Sequence, residues 1–142
     1  TNAYYSHATW DHLKEMQQSG LVEVQNHSYD LHEKRAGALG AAKRPGESDA
    51  GYRERLRTDL IKAQKAFSDN LGLEPSAFVY PFGAMSSKTE EIVRELGFSA
   101  TFTCREKISR ITRDTESLYE IGRFLRPSGI SSSEFFKKIG LD

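Results

Sequence analysis

One cysteine in 142 residues leaves this chain no partner for an internal disulfide. The lone Cys104 is read as a small, half-buried thiol rather than a nucleophile. Charge of one sign is also missing. Twenty basic and twenty acidic residues give a formal net charge of zero. That balance excludes a general nucleic-acid binder and a surface drawn to anionic lipid. No apolar run approaches the roughly 18 to 20 residues that span a bilayer. The opening TNAYYSHATW has neither the basic start nor the apolar stretch of a signal peptide.

What is present is a row of alternating elements, and the length fits one domain with one core. Thr9 suits an N-cap, and Trp10, Leu13 and Met16 recur at helical spacing up to Gly20. Val22–Gln25 alternates apolar and polar as a strand does. Glu33 to Asp49 is polar and Gly-rich and reads as one long loop. Tyr52, Leu56, Leu60, Ala63, Phe67 and Leu71 form a single helical stripe closed by Gly72. Ala77–Tyr80 is a short strand stopped by Pro81. Ser87 to Glu90 has capping-box form and opens a helix with Ile92, Val93 and Leu96. Ser99–Thr103 and Leu118–Leu125 read as two more strands. Ser131 to Glu134 is a second capping box before Phe135, Phe136 and Ile139. Strands alternating with helices imply a parallel α/β sheet. The chain opens just before a helix, without the strand that usually starts such a layer. It therefore reads as the later part of a larger domain.

The four histidines fall at 7, 12, 27 and 32. In VEVQNHSYDLH, His27 and His32 are five apart, a poor spacing for two ligands on one regular element. On a helix their side chains would diverge by roughly 140°, and on a strand they would lie on opposite faces. They converge only if the strand ends at His27 and the chain bends back. Parallel α/β folds build their sites at such strand ends. Ser28 suits the bend, and two neutral imidazoles suit Zn²⁺, Co²⁺, Ni²⁺ or Fe²⁺. The alternative is two polar loop histidines. His7 and His12 share the spacing, but a helix carries His12 and a loop His7, so nothing brings them together.

HSYDLH resembles the second motif of the polysaccharide deacetylase family (NodB-type, carbohydrate esterase family 4). FVYPFG, residues 78 to 83, resembles the Tyr-Pro-Tyr/Phe-Gly of its third block. WDHLKEMQQSGLVEVQNHSYDLH, YRERLRTDLIKAQKAF, YPFGAMSSKTEEIVRELGFSATFT and LYEIGRF are similar, in order, to the branch that deacetylates poly-N-acetylglucosamine. The resemblance implies that residues 1–142 are the C-terminal portion of a (β/α) barrel of the NodB-type fold, with about four strands and four helices and the first strands missing. It implies that His27 and His32 bind a divalent metal, zinc first among the candidates. It implies an N-acetylglucosamine polysaccharide as partner and an exported or cell-envelope setting.

The family's T-F-D-D-G motif, which supplies the base and a third ligand, is absent. No Asp-Asp dipeptide occurs, and no histidine follows His32 to serve as general acid. The family's chemistry needs an ion that activates water and polarises the acetyl oxygen, a carboxylate base and an acid. This chain is therefore expected to bind metal weakly and to lack activity alone, its catalytic residues being unknown. Tyr80, Pro81, Phe82 and Gly83 form a groove wall by resemblance, with no choice made between the two rings. A simple Pro-x-Gly turn is the alternative. Arg123 matches a branch arginine, or is an ordinary ion-pair partner. Phe67, Phe78 and Phe98 read as core. Two other functions stay open: a binding module that holds the polymer without cleaving it, and a structural half-domain. Missing strands would leave an open sheet edge, which predicts self-association. A compact monomer with loop 33–49 folded over the gap is the alternative.

Overall fold

The computed structural model describes residues 7–141. Its elements are α1 (Trp10–Gln18), a hairpin of β1 (Lys34–Arg35) and β2 (Ala38–Leu39), α2 (Asp49–Leu71), β3 (Ala77–Val79), α3 (Thr89–Glu95), β4 (Ala100–Phe102) and α4 (Ser132–Lys138). Short 3-10 turns cover Pro81–Gly83 and Thr115–Leu118.

β3 and β4 pair in parallel, Phe78 opposite Thr101. Single parallel bridges extend the pair on both sides, Asn26 to Phe78 and Phe102 to Ile121. The result is four chain segments in sequence order, all running the same way. The outer two are much shorter than their residues suggested. Val22–Gln25 is not a strand, and only Asn26 joins the ladder, through its amide to Ala77 O and its carbonyl to Val79 N. Leu21 and Val22 stay on the surface, so nothing rewards extended pairing there. Gln25 substitutes a side chain for the backbone, its Oε1 accepting from Ala77 N at 2.8 Å. Leu118–Leu125 likewise contracts to Ile121, bonded to Thr101 and Thr103.

α2 supplies the wall of the core. Ser48 caps it by accepting from Gly51 N, and Gly72 ends it in the left-handed conformation. Tyr52, Leu56, Leu60, Ala63 and Leu71 are buried along one stripe, as the spacing predicts. Of these, Tyr52, Leu56 and Leu60 join one cluster with Phe78, Tyr80, Ile92, Val93 and Phe98. Phe67 is only half-buried and meets Trp10 edge-on at 5.8 Å. The Ser87–Glu90 capping box does not form; α3 starts at Thr89, after an uncapped Lys88. The Thr89 hydroxyl is engaged instead by Ser86 N and the buried Tyr52 hydroxyl. The second capping box does form, between Ser131 and Glu134.

Residues 33–49 are not the plain loop their composition suggested. Ala36 and Gly37 both have positive φ, the conformation that joins a tight two-residue hairpin. Beyond the hairpin Ala41 is buried, with its carbonyl on the Tyr52 hydroxyl at 2.9 Å. Glu47 clamps Arg55 of α2 through both oxygens, at 2.7 and 2.8 Å. This segment thus packs on α2 and on the turn after β3.

Candidate metal and substrate site

The four parallel segments deliver their next residues to one end of the sheet. His27 follows Asn26, Tyr80–Gly83 follows β3, Thr103–Cys104 follows β4, and Arg123 follows Ile121. This is the carboxyl end, where parallel α/β folds carry their chemistry.

The bend that the histidine spacing demands is present. Ser28 takes φ +82°, a conformation L residues rarely adopt. Each of the next amides finds a side-chain acceptor. Ser28 N donates to Asn26 Oδ1 at 2.7 Å, Tyr29 N to Asp59 Oδ1 at 2.9 Å, Asp30 N to Asp59 Oδ2 at 2.8 Å, and Leu31 N to Ser28 Oγ at 3.1 Å. Asn26 is fully buried and donates onward to Gln64 of α2, while Leu31 is buried and anchors the far side. The bend brings the His27 and His32 rings to 5.0 Å between centroids, at 53°. Burial pushes the Asp59 carboxyl above its usual range, against the pull of the two amides it accepts from.

His27 is half-buried, with Nδ1 2.7 Å from the Val79 carbonyl. A carbonyl can only accept, so Nδ1 carries the proton and Nε2 keeps a lone pair. That is the tautomer a metal-binding imidazole needs, fixed from behind by a carbonyl. Burial lowers the His27 pKa; the Val79 bond opposes this, and the charges of His32 and Arg123 add to it. Two imidazoles on one tetrahedral ion, at bonds of about 2.0–2.1 Å, stand roughly 5 Å apart between centroids. At 5.0 Å the pair has the ring separation of two ligands on one ion. Among the described residues no cluster of three or more His, Cys, Asp or Glu could complete the set.

The turn after β3 separates the two rings that resemblance left as a pair. Tyr80 is 0% exposed and packs edge-on against Phe78 at 5.1 Å. Among the described residues its hydroxyl finds no hydrogen-bond partner, and burial raises its pKa. A ring in the core offers no face to a sugar, so Tyr80 is corrected from groove wall to core. Pro81 is buried as well. Phe82 is 42% exposed and lies over His32, 4.2 Å between centroids and 31° apart. Its φ of +57° turns it outward. Gly83 allows the close approach of the next strand end: a Cβ there would stand 2.7 Å from Cys104 N.

Among the described residues Arg123 is engaged by hydrogen bonds rather than by an ion pair. Its Nε donates to Thr103 O at 2.8 Å and its Nη2 lies 3.1 Å from Cys104 Sγ. Cys104 is exposed, not half-buried. His12 caps α1, its Nδ1 accepting from Thr9 N. His7 is exposed, and neither joins the site. Asp59 escaped sequence reasoning, because its partners are backbone amides 29 and 30 residues away. A cleft of about 420 Å³ lined by Gln17, Leu21, Val24, Gln25 and Pro75 contains none of these residues.

The sequence pattern of the polysaccharide deacetylase family matches residues 1–101. The chain belongs to the polysaccharide deacetylase family. This member is 28% identical, over 93% of its length, to the poly-β-1,6-N-acetyl-D-glucosamine N-deacetylase of Escherichia coli K12, of which it covers 21%. It is 26% identical over 67% of its length to the enzyme of the same name from Staphylococcus aureus, of which it covers 31%. The chain thus spans between a fifth and a third of these curated relatives. Among solved structures, a de-N-acetylase from Aggregatibacter actinomycetemcomitans superposes with TM-score 0.76 at 29% identity, covering 93% of this chain and 53% of the other. IcaB from Ammonifex degensii gives 0.69 at 29% identity, covering 96% and 53%. This polysaccharide deacetylase chain therefore has an α/β fold matching about half of those solved chains, as expected for part of a barrel.

Proposed function

We propose that this chain is the C-terminal portion of the catalytic domain of a metal-dependent N-deacetylase, acting on an N-acetylglucosamine polysaccharide outside the cell or in its envelope. The observation that carries the proposal is the histidine pair, two rings 5.0 Å apart at a strand end with His27 held through Nδ1 on Val79 O. The names of the relatives support the reaction and the substrate class.

His27 and His32 would hold the ion, with zinc the leading candidate and cobalt, nickel or iron the others. When bound, the ion supplies Lewis-acid polarisation of the acetyl oxygen and lowers the pKa of a water. His27 keeps Nε2 unprotonated for this task, its proton committed to the Val79 carbonyl. His32 is braced by the Phe82 ring, whose exposed side is the available apolar surface for a sugar ring. Gly83, the next residue of the turn, stands beside it. Arg123, tied to Thr103 O, brings a fixed positive charge to the same end of the sheet. The base, the third ligand and the acid would come from outside the described residues.

Titration of the chain with Zn²⁺ tests the site. Weak one-to-one binding that the double change His27→Ala, His32→Ala abolishes is expected, with no acetate released from N-acetylglucosamine oligomers. Tight binding that survives the double change would sink the assignment. Metal-dependent acetate release by the chain alone would show that another carboxylate, Asp30 for instance, acts as base. Polymer binding that persists in a domain completed with the missing motif, but without acetate release, would favour the binding-module reading.

A further inference from the structure

Between the two histidines the backbone makes no helix or ladder of its own. Its four amides, Ser28 to Leu31, all donate to side-chain oxygens. Two of those acceptors, Asn26 and Ser28, belong to the same short segment. The third, the Asp59 carboxylate, comes from α2 and takes two consecutive amides, Tyr29 N on Oδ1 and Asp30 N on Oδ2. The bend includes a residue at positive φ and lies at the surface, where Tyr29 and Asp30 are exposed. Leu31 is its one buried apolar anchor. The shape of the loop therefore depends on hydrogen bonds more than on packing. Charge-assisted bonds of this kind are stronger than neutral ones. Asp59 sits one residue before the buried Leu60, on a helix fixed by the core, so its position is set independently of the loop.

We propose that Asp59 is a positioning residue for the histidine pair: it holds the 28–31 backbone on α2 and so fixes the separation and mutual orientation of His27 and His32. The proposal rests on the reading that these histidines share an ion. It adds a requirement that no ligand motif contains, a carboxylate on the following helix that never touches the ion. Neighbours that orient a metal ligand are commonly worth ten- to a hundredfold in metal affinity.

Asp59→Asn keeps the shape but turns one acceptor into an NH₂ group facing an amide donor. In the metal-free chain, NMR should show faster exchange of the Tyr29 and Asp30 amides and loss of the His27–His32 ring-to-ring contact. Zinc titration, followed on the histidine ring signals, should weaken about tenfold or more. Asp59→Glu keeps both acceptors and should restore part of the affinity. Ala63→Gly, on the same helix but away from the loop, lowers stability and should leave the affinity unchanged. An unaltered ring contact and an affinity within twofold of the parent in Asp59→Asn would overturn the proposal. A parent chain whose zinc binding ignores His27 and His32 would overturn the metal reading instead. The metal-free contact would then still decide whether Asp59 shapes the loop. If Asp59→Asn fails to fold, Asp59→Glu decides by the same measurements, since a purely structural carboxylate would leave its ring contact as in the parent.

Discussion

α2 and α4 are both amphipathic by sequence, and only one of them has a core. α2 buries five residues, three of them in one cluster with residues of β3 and α3. α4 buries none, although its capping box is formed and Phe135 and Phe136 touch each other at 5.7 Å. α1 lies between the two: its cap is complete and Trp10 meets Phe67 of α2, yet no residue of it is buried. Caps and periodicity start helices, but a helix becomes part of a fold only when another element takes its apolar face. The inner layer carries the site because His27, Phe82 and Arg123 all leave from segments bonded into it.

Deleting a large inner side chain breaks this comparison most forcefully. Phe78→Ala removes a ring with 0% exposure that touches both Tyr80 and Phe98. It is expected to cost about 3–5 kcal/mol, whereas Phe136→Ala on α4 should stay within about 0.5 kcal/mol. Urea denaturation of both variants checks the contrast. Comparable losses would mean that α4 belongs to the core.

The second test concerns the edge at Asn26. Among the described residues little pairs with the backbone of 21 to 25, and Leu21 is 89% exposed beside Val22. Open edges with apolar side chains invite association. Light scattering should show a mass that rises with concentration, and Leu21→Lys should reduce that rise. A monomer at every concentration would remove self-association from the account.

A smaller effect ties the 33–49 segment to the inner layer. The Arg55 guanidinium, with Arg44 N behind it, holds the Glu47 carboxyl at about 2 against an ordinary 4.5. A depressed carboxylate stabilises the fold above its unfolded pKa, and that contribution disappears as pH falls from about 4.5 to about 2. Discounted for solvent screening, the loss is about 1 kcal/mol. Thermal melts between pH 6 and pH 2.5 should show Glu47→Gln with a flatter acid limb than the parent. Identical limbs would remove the clamp from the stability of the fold.

The same contrast separates what could be read in the sequence from what could not. The α2 stripe, the β3 and β4 runs and the Ser131 box were legible because each signal is local and is satisfied locally. Val22–Gln25 alternated correctly but had no second face to bury, so Asn26 alone pairs. The Ser87 box lost to Tyr52, which engages Thr89 from 37 residues away. The need for a bend at Ser28 was legible from the impossibility of five-residue spacing on a regular element. How the bend is held was not, since Asp59 looks like any charged residue on a helix. Tyr80 and Phe82 were inseparable as letters. A φ of +57° at Phe82 sends one ring outward while its neighbour fills the core.

The smallest expected effect probes whether α4 unfolds with the rest or by itself. Its seven residues are too few for a stable isolated helix in water. What holds them is local: Ser131 Oγ accepts from Glu134 N at 3.2 Å, and the Glu134 carboxylate accepts from Ser131 N at 2.9 Å. Ser131→Ala removes one side of this box, at a local cost of about 1 kcal/mol. If α4 is a separate unit, that cost falls on a segment already close to opening, and the global transition does not move. Amide exchange in residues 132–138 should then accelerate about fivefold, which is that cost expressed as an opening equilibrium. The melting temperature of the α2 core should stay within about 1 °C. A lowered global transition would instead mean that α4 opens only when the core does, placing it with α2 despite its unburied face.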